Sequence, residues 1–133
     1  MEIGNEDIKK FVEKARGIVR NSYSPYSKIR VAACLICEEG EYWGVNVENA
    51  SYGLTICAER TAVFNAMSSG ARNFIWMLVY SPDIIPVPCG ACRQVIAEFT
   101  NPDFLIVVVS EKGGMKVWRY RISELLPQAF KIE

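Results

Sequence analysis

The spacing of apolar residues alternates along the chain between the period of a helix and the period of a strand, and this alternation predicts its secondary structure. Between residues 5 and 20, apolar side chains recur at Ile8, Phe11, Val12, Ala15 and Val19, which is the spacing of one helix face. Helices are also predicted over residues 59–69 and 90–99, with a short helical turn over 123–126. Apolar runs bounded by turn residues predict strands at residues 29–37, 42–47, 74–80, 104–109 and 115–121.

The order of these elements, αββαβαββα, predicts the fold class. Residues 29–37 and 42–47 flank a short polar turn, so we expect them to form an antiparallel hairpin. The nearly continuous apolar run at 74–80 is typical of a central strand that is buried on both faces. We therefore predict an α/β protein, a three-layer α/β/α sandwich on a five-stranded mixed sheet. The chain has 133 residues and no linker or repeat, so a single domain over residues 1–133 is expected.

Composition narrows the range of partners. The chain has 15 basic and 15 acidic residues and no long basic run, so we expect no nucleic-acid partner. Its apolar runs are too short to span a membrane, and its acidic start lacks the apolar core of a signal peptide. Five cysteines are an odd number for a disulfide framework. We therefore expect reduced thiols and a cytoplasmic location.

Three of the cysteines are spaced as metal ligands would be. The chain contains no histidine, so a metal site must use sulfur or oxygen ligands. Cys57, Cys89 and Cys92 could bind zinc through three thiolates, which leaves a fourth position open for water, as in a catalytic site. Glu59 follows Cys57 by two residues and is the natural proton carrier for that water. Arg60 could offset the net negative charge of three thiolates and Zn²⁺ by donating to the sulfur atoms, or it could be a solvated helix residue.

A C-x-x-C pair alone is weak support for a zinc site, since it could also be a redox motif, a structural zinc site or a chance pattern. Cys34 and Cys37 form a second such pair within a predicted strand, where residues three apart face opposite sides of the sheet. We therefore expect these two cysteines not to share a metal ion and at least one of them to be buried. The combination of Cys-x-Glu with Pro-Cys-x-x-Cys is stronger and is typical of zinc-dependent deaminases.

Three segments carry a family resemblance: 46–52 (NVENASY), 57–62 (CAERTA) and 88–94 (PCGACRQ). With the SPYS segment at 24–27 and the LLP segment at 125–127, they make nearly the whole chain resemble cytidine deaminases of the small homotetrameric class. The resemblance implies zinc-dependent hydrolytic deamination of cytidine and 2′-deoxycytidine to the uridine forms, with release of ammonia, as in pyrimidine salvage. It implies one Zn²⁺ per subunit and Glu59 as the catalytic proton shuttle.

The resemblance also implies roles in binding the pyrimidine nucleoside. Asn46 and Glu48 would hydrogen-bond the ribose hydroxyl groups, although either could be an ordinary turn residue. The Ala58 N–H would donate to the pyrimidine carbonyl, and the Val87 carbonyl would accept from the substrate amine. Tyr52 and Phe130 would reach the active site of a neighbouring subunit, so the resemblance implies a homotetramer with shared active sites.

One departure from the family pattern bears on the substrate. The position after Ser27-Lys28 is usually phenylalanine, which stacks in the nucleoside pocket, but here it is Ile29. Isoleucine supplies an apolar wall without an aromatic face, so a deaminase of a modified cytosine nucleoside stays an alternative. A nucleic-acid base editor is disfavoured by the balanced charge, and a non-catalytic zinc-stabilised module is disfavoured by Glu59.

Overall fold

The structure is a computed structural model that describes residues 2–132; Met1 and Glu133, the ends of the predicted domain, lie outside the described residues. Its helices are α1 (Asn5–Ile18), α2 (Ala58–Ser68), α3 (Gly90–Phe99) and α4 (Ile122–Leu125). Its strands are β1 (Ala32–Cys37), β2 (Gly40–Val45), β3 (Phe74–Ser81), β4 (Leu105–Ser110) and β5 (Lys116–Arg121). Short 3₁₀ turns at Val19–Asn21 and Tyr52–Leu54 complete the order.

The strands form one five-stranded mixed sheet in the order β2-β1-β3-β4-β5. Only β3 and β4 are parallel; the other neighbours, including the predicted β1–β2 hairpin, are antiparallel. The run at β3 lies at the centre, as its apolar sequence predicts, and its last six residues are buried.

Two apolar cores fill the spaces between the layers. Residues of α1 such as Ile8 and Val12 pack on one face of the sheet, whereas α2, α3 and α4 pack on the other face. The predicted three-layer α/β/α sandwich is therefore confirmed. Within residues 2–132, every helix is too short or too polar to span a bilayer.

One predicted boundary at the edge of the site was wrong. The first strand begins at Ala32 and not at residue 29, because Lys28 has a left-handed φ of 64° and backbone groups of Ile29 and Val31 bond to the Asn46 side chain. The predicted helix over residues 90–99 is confirmed as α3, which begins at Gly90 after the N-cap residue Cys89. Pro88 precedes the N-cap, where its restricted φ limits the approach of the loop to the helix.

Candidate active site

The N-terminal ends of α2 and α3 bring together the three cysteines that the sequence singles out. Cys57 is the N-cap residue of α2, Cys89 is the N-cap residue of α3, and Cys92 lies in the first turn of α3. Their sulfur atoms all lie within 4.8 Å of one another. Helix N-termini present unpaired N–H groups and a positive dipole end, so this location favours thiolates.

The distances between the sulfur atoms fit a single zinc ion. The Sγ atoms of Cys57 and Cys89 are 3.9 Å apart, and those of Cys89 and Cys92 are 3.5 Å apart. Thiolates bonded to a tetrahedral zinc at about 2.3 Å lie roughly 3.8 Å from each other. Only small movements would therefore be needed for the three sulfur atoms to hold one zinc ion and leave a fourth position for water.

Charged and polar neighbours set the protonation of these thiols. Contact with Cys92, together with the Arg60 guanidinium, lowers the pKa of the Cys57 thiol to about 5. The same contact with Cys57, together with burial, raises the pKa of Cys92. Arg60 Nη2 donates to Cys57 Sγ at 3.3 Å, and its own pKa is raised by that bond. The half-buried Arg60 thus places a positive charge beside a sulfur cluster that would be negative with zinc bound, which contradicts the reading of a solvated residue.

Glu59 is the one charged residue in the buried set of residues 2–132, with 5 % of its surface exposed. Burial raises the pKa of its carboxyl group to about 7, so the group can exchange a proton near neutral pH. Glu59 lines a cleft of about 240 Å³, and Cys57 and Cys89 line the same cleft. A buried carboxyl group and a thiol cluster facing one cleft are suited to hydrolysis by an activated water molecule.

The other walls of this cleft are mainly apolar. Ile29, Val31, Ile84 and Val87 contribute aliphatic surface. Ala58 also lines the cleft and is the first residue of α2, so its N–H lacks an intrahelical acceptor. The cleft therefore combines an apolar lining with a backbone donor at Ala58.

Asn46 and Glu48 also line the cleft, and both side chains already form hydrogen bonds with backbone groups. Asn46 Oδ1 accepts from the Val31 N–H at 2.9 Å, and Asn46 Nδ2 donates to the Ile29 carbonyl at 2.8 Å. Glu48 Oε1 accepts from the N–H groups of Tyr26 and Ser27 at 3.0 and 3.1 Å, and its Oε2 accepts from the Ser27 hydroxyl.

Tyr52 and Phe130 do not line the cleft that contains Glu59 in their own chain. Their exposed fractions are 79 % and 70 % respectively. Tyr52 stacks edge-on against Tyr26, with 6.3 Å between the ring centroids, and the Phe130 carbonyl accepts from Gln94 Nε2 at 3.0 Å. Both rings are therefore exposed at the surface.

Sequence reasoning assigned no role to Ser27 or Arg93, although both lie in segments that carry the family resemblance. Arg93 Nε donates to the Pro88 carbonyl at 2.7 Å, and its Nη1 donates to the Leu125 carbonyl at 2.8 Å. Arg93 therefore ties the loop that bears Cys89 to the C-terminal helix. The only local signal was position within a motif, because the acceptors are distant in sequence.

The second cysteine pair behaves as its strand spacing predicts. Cys34 and Cys37 are both buried in β1 and are not part of the thiol cluster. Burial raises the pKa of Cys37 to about 11 and raises that of Cys34 as well. They are packing residues of the sheet.

Comparison with known proteins agrees with this geometry. The family described as "Cytidine and deoxycytidylate deaminase zinc-binding region" matches residues 5–108. The cytidine deaminase of Sporosarcina psychrophila is 43 % identical over 129 residues, covering 96 % of this chain and 93 % of that protein. The cytidine deaminase of Halalkalibacterium halodurans is 42 % identical over 129 residues, covering 96 % of each chain.

A solved structure shows the same fold. The 1.6 Å crystal structure of cytidine deaminase from Burkholderia pseudomallei superposes with a TM-score of 0.81 at 40 % identity, covering 92 % of this chain and 98 % of that one. This chain belongs to the cytidine and deoxycytidylate deaminase family. It is a zinc-dependent nucleoside deaminase, so the reading as a non-catalytic zinc module was wrong.

Proposed function

We propose that the chain catalyses the hydrolytic deamination of cytidine and 2′-deoxycytidine to uridine and 2′-deoxyuridine, with release of ammonia. The observation that carries the proposal is the buried Glu59 carboxyl group, which shares one cleft with the thiol cluster. The relatives named above, cytidine deaminases that align over almost their full length, support this substrate class. Cys57, Cys89 and Cys92 would hold the zinc ion.

The residues in and beside the cleft have separate roles in this proposed reaction. Zinc held by the three thiolates would lower the pKa of a water molecule so that it loses a proton near neutral pH. Glu59 is the group that would accept a proton in the cleft and deliver it to N3 of the pyrimidine, and would then carry the second proton to the amine that leaves C4. Arg60 keeps the sulfur cluster close to electrical neutrality by donating to Cys57 Sγ.

Substrate position would be set by several groups that line the same cleft. The free N–H of Ala58 would donate to the pyrimidine carbonyl, and the Val87 carbonyl would accept from the exocyclic amine. Ile29 would form an apolar wall against the ring, and Asn46 and Glu48 would bind the ribose hydroxyl groups. Holding C4 close to the attacking water supplies much of the rate enhancement.

Ultraviolet-monitored turnover of free cytidine by the purified protein tests the function. We expect turnover that disappears when a strong chelator removes the metal and returns with added zinc. If the folded, zinc-loaded protein does not convert cytidine, the substrate assignment is refuted. The aliphatic wall at Ile29 then favours the second candidate, a modified cytosine nucleoside, and cytosine analogues would be assayed in the same way.

The functional unit in this proposal is one domain over residues 1–133, assembled as a homotetramer. Tyr52 and Phe130 would then complete the active site of a neighbouring subunit, which their high exposure supports. Light scattering at micromolar concentration should give four times the chain mass, and a monomer would contradict this part. A reducing, cytoplasmic location would suit the five free thiols.

A further inference from the structure

The turn over residues 24–28 donates several hydrogen bonds to the carboxylate of Glu48. The turn is closed by the Lys28 N–H, which donates to the Ser24 carbonyl at 3.0 Å. Three donors of the turn then point at Glu48: the N–H groups of Tyr26 and Ser27 and the Ser27 hydroxyl. These bonds join a loop before β1 to a residue beyond β2, about twenty positions later in the chain.

The number of hydrogen bonds that Glu48 already accepts determines how many of its acceptor positions are available to a ligand. An ionised carboxylate has about four acceptor positions, two on each oxygen. Oε1 already accepts two N–H groups, whereas Oε2 accepts, among residues 2–132, only the Ser27 hydroxyl. One acceptor position on Oε2 therefore stays open, and its direction depends on the Ser27 hydroxyl.

Ser27 is placed to act on the cleft and not only on the turn. Both Ser27 and Glu48 line the cleft that contains Glu59. Ser27 Oγ also accepts from the Ile29 N–H at 3.0 Å, so the same hydroxyl fixes the residue that forms the apolar wall. The Ser27 hydroxyl, aided by the backbone donors and by the charge of Lys28, lowers the pKa of Glu48 below its usual range.

We propose that Ser27 is a positioning residue, which orients Glu48 so that a single acceptor position is presented to a ribose hydroxyl of the nucleoside. This inference rests on the proposed function of the cleft. Ser27 would then affect the binding of the sugar and not the transfer of protons at the base. Loss of such uniform binding raises KM and leaves kcat unchanged.

The test compares Ser27→Ala with Ser24→Ala, a matched control in the same turn, on two substrates. The Ser24 side chain makes no hydrogen bond with residues 2–132 and does not line the cleft. With cytidine, Ser27→Ala should raise KM about tenfold, the loss expected for one hydrogen bond to a charged group, with kcat within about twofold of wild type. Ser24→Ala should leave both constants unchanged.

The second substrate, 2′,3′-dideoxycytidine, lacks the hydroxyl groups that Glu48 could bind. If Ser27 acts through Glu48, Ser27→Ala should leave KM for this substrate within about twofold of wild type. Ser27→Thr keeps a hydroxyl group and should recover most of the affinity for cytidine. An equal rise in KM for both substrates, or no rise with cytidine, would overturn the proposal. Failure of the proposed function would appear separately, as absence of cytidine turnover in the wild-type protein.

Discussion

Replacing Gly44 with alanine is expected to force α2 away from the sheet and to damage the active site from a distance. Gly44 is a buried residue of β2, and a Cβ atom placed there would lie 2.4 Å from the Ala62 nitrogen and 2.6 Å from the Ala58 carbonyl oxygen. It would also lie 2.8 Å from the Thr61 Cβ. Two of these neighbours are backbone atoms of α2, so no rotamer change can relieve the contact.

The size of the effect follows from these distances. Ordinary contacts of a Cβ atom begin near 3.4 Å, so α2 would have to withdraw by roughly 1 Å. Overpacking of this kind costs about 1–3 kcal/mol of the free energy of unfolding. Because α2 begins beside Cys57 and carries Glu59, the same shift should lower kcat/KM by about a hundredfold.

Urea denaturation followed by tryptophan fluorescence measures the free energy of unfolding. Cytidine turnover at urea concentrations below the unfolding transition measures the activity of the site. Gly17→Ala is the matched control, because Gly17 lies in α1 and a Cβ there meets no atom within 4 Å. That variant should gain about 0.5–1 kcal/mol from helix propensity. A Gly44→Ala variant with wild-type stability and turnover would refute the packing argument.

Two further variants test the three-cysteine site and the contact that joins α1 to the segment after β4. Cys89→Ala should lose most of its bound zinc and unfold at a lower temperature, whereas the control Cys34→Ala, at a buried cysteine outside the cluster, should keep its zinc. Metal analysis measures the zinc content, and calorimetry measures the unfolding temperature. Full zinc occupancy in Cys89→Ala would exclude Cys89 as a ligand. Glu111 accepts from Arg16 at 2.8 and 2.9 Å and from the Tyr80 hydroxyl at 2.5 Å, so Glu111→Gln should cost about 1 kcal/mol at pH 7 by urea denaturation. Arg16 holds the pKa of Glu111 below its usual range; this stabilisation is therefore present above the unfolded-state pKa and is lost as pH falls through the folded-state pKa. A cost that did not shrink in acid would contradict that assignment.

Local patterns were sufficient to predict the layers of the fold and the grouping of the thiols. Helical and strand periods identified every long element, and the cysteine spacing correctly grouped Cys57, Cys89 and Cys92. The predicted start of β1 was wrong because the side-chain amide of Asn46 bonds to backbone groups of Ile29 and Val31, which lie seventeen and fifteen residues earlier. Such a bond between distant segments leaves no periodic signal in either one.

The contacts of Gly44 with α2 and of Ser27 with Glu48 were not predicted, for two different reasons. A glycine inside a strand pattern often marks a close backbone approach, so Gly44 carried a local signal that was not used. Ser27 carried none beyond its motif, because its partner becomes a neighbour only when the turn folds onto the end of β2. Arg93, which joins two carbonyl groups across the site, was missed for the same second reason.

The central claim is that Glu59 moves protons beside a metal held by three cysteines. Its most direct test measures zinc content and cytidine turnover together in Glu59→Gln, with Glu98→Gln on the exposed face of α3 as the matched control. We predict about one zinc per chain in both variants, with kcat reduced about a thousandfold or more in Glu59→Gln and unchanged in Glu98→Gln. Turnover within tenfold of wild type in a zinc-loaded Glu59→Gln protein would contradict the account.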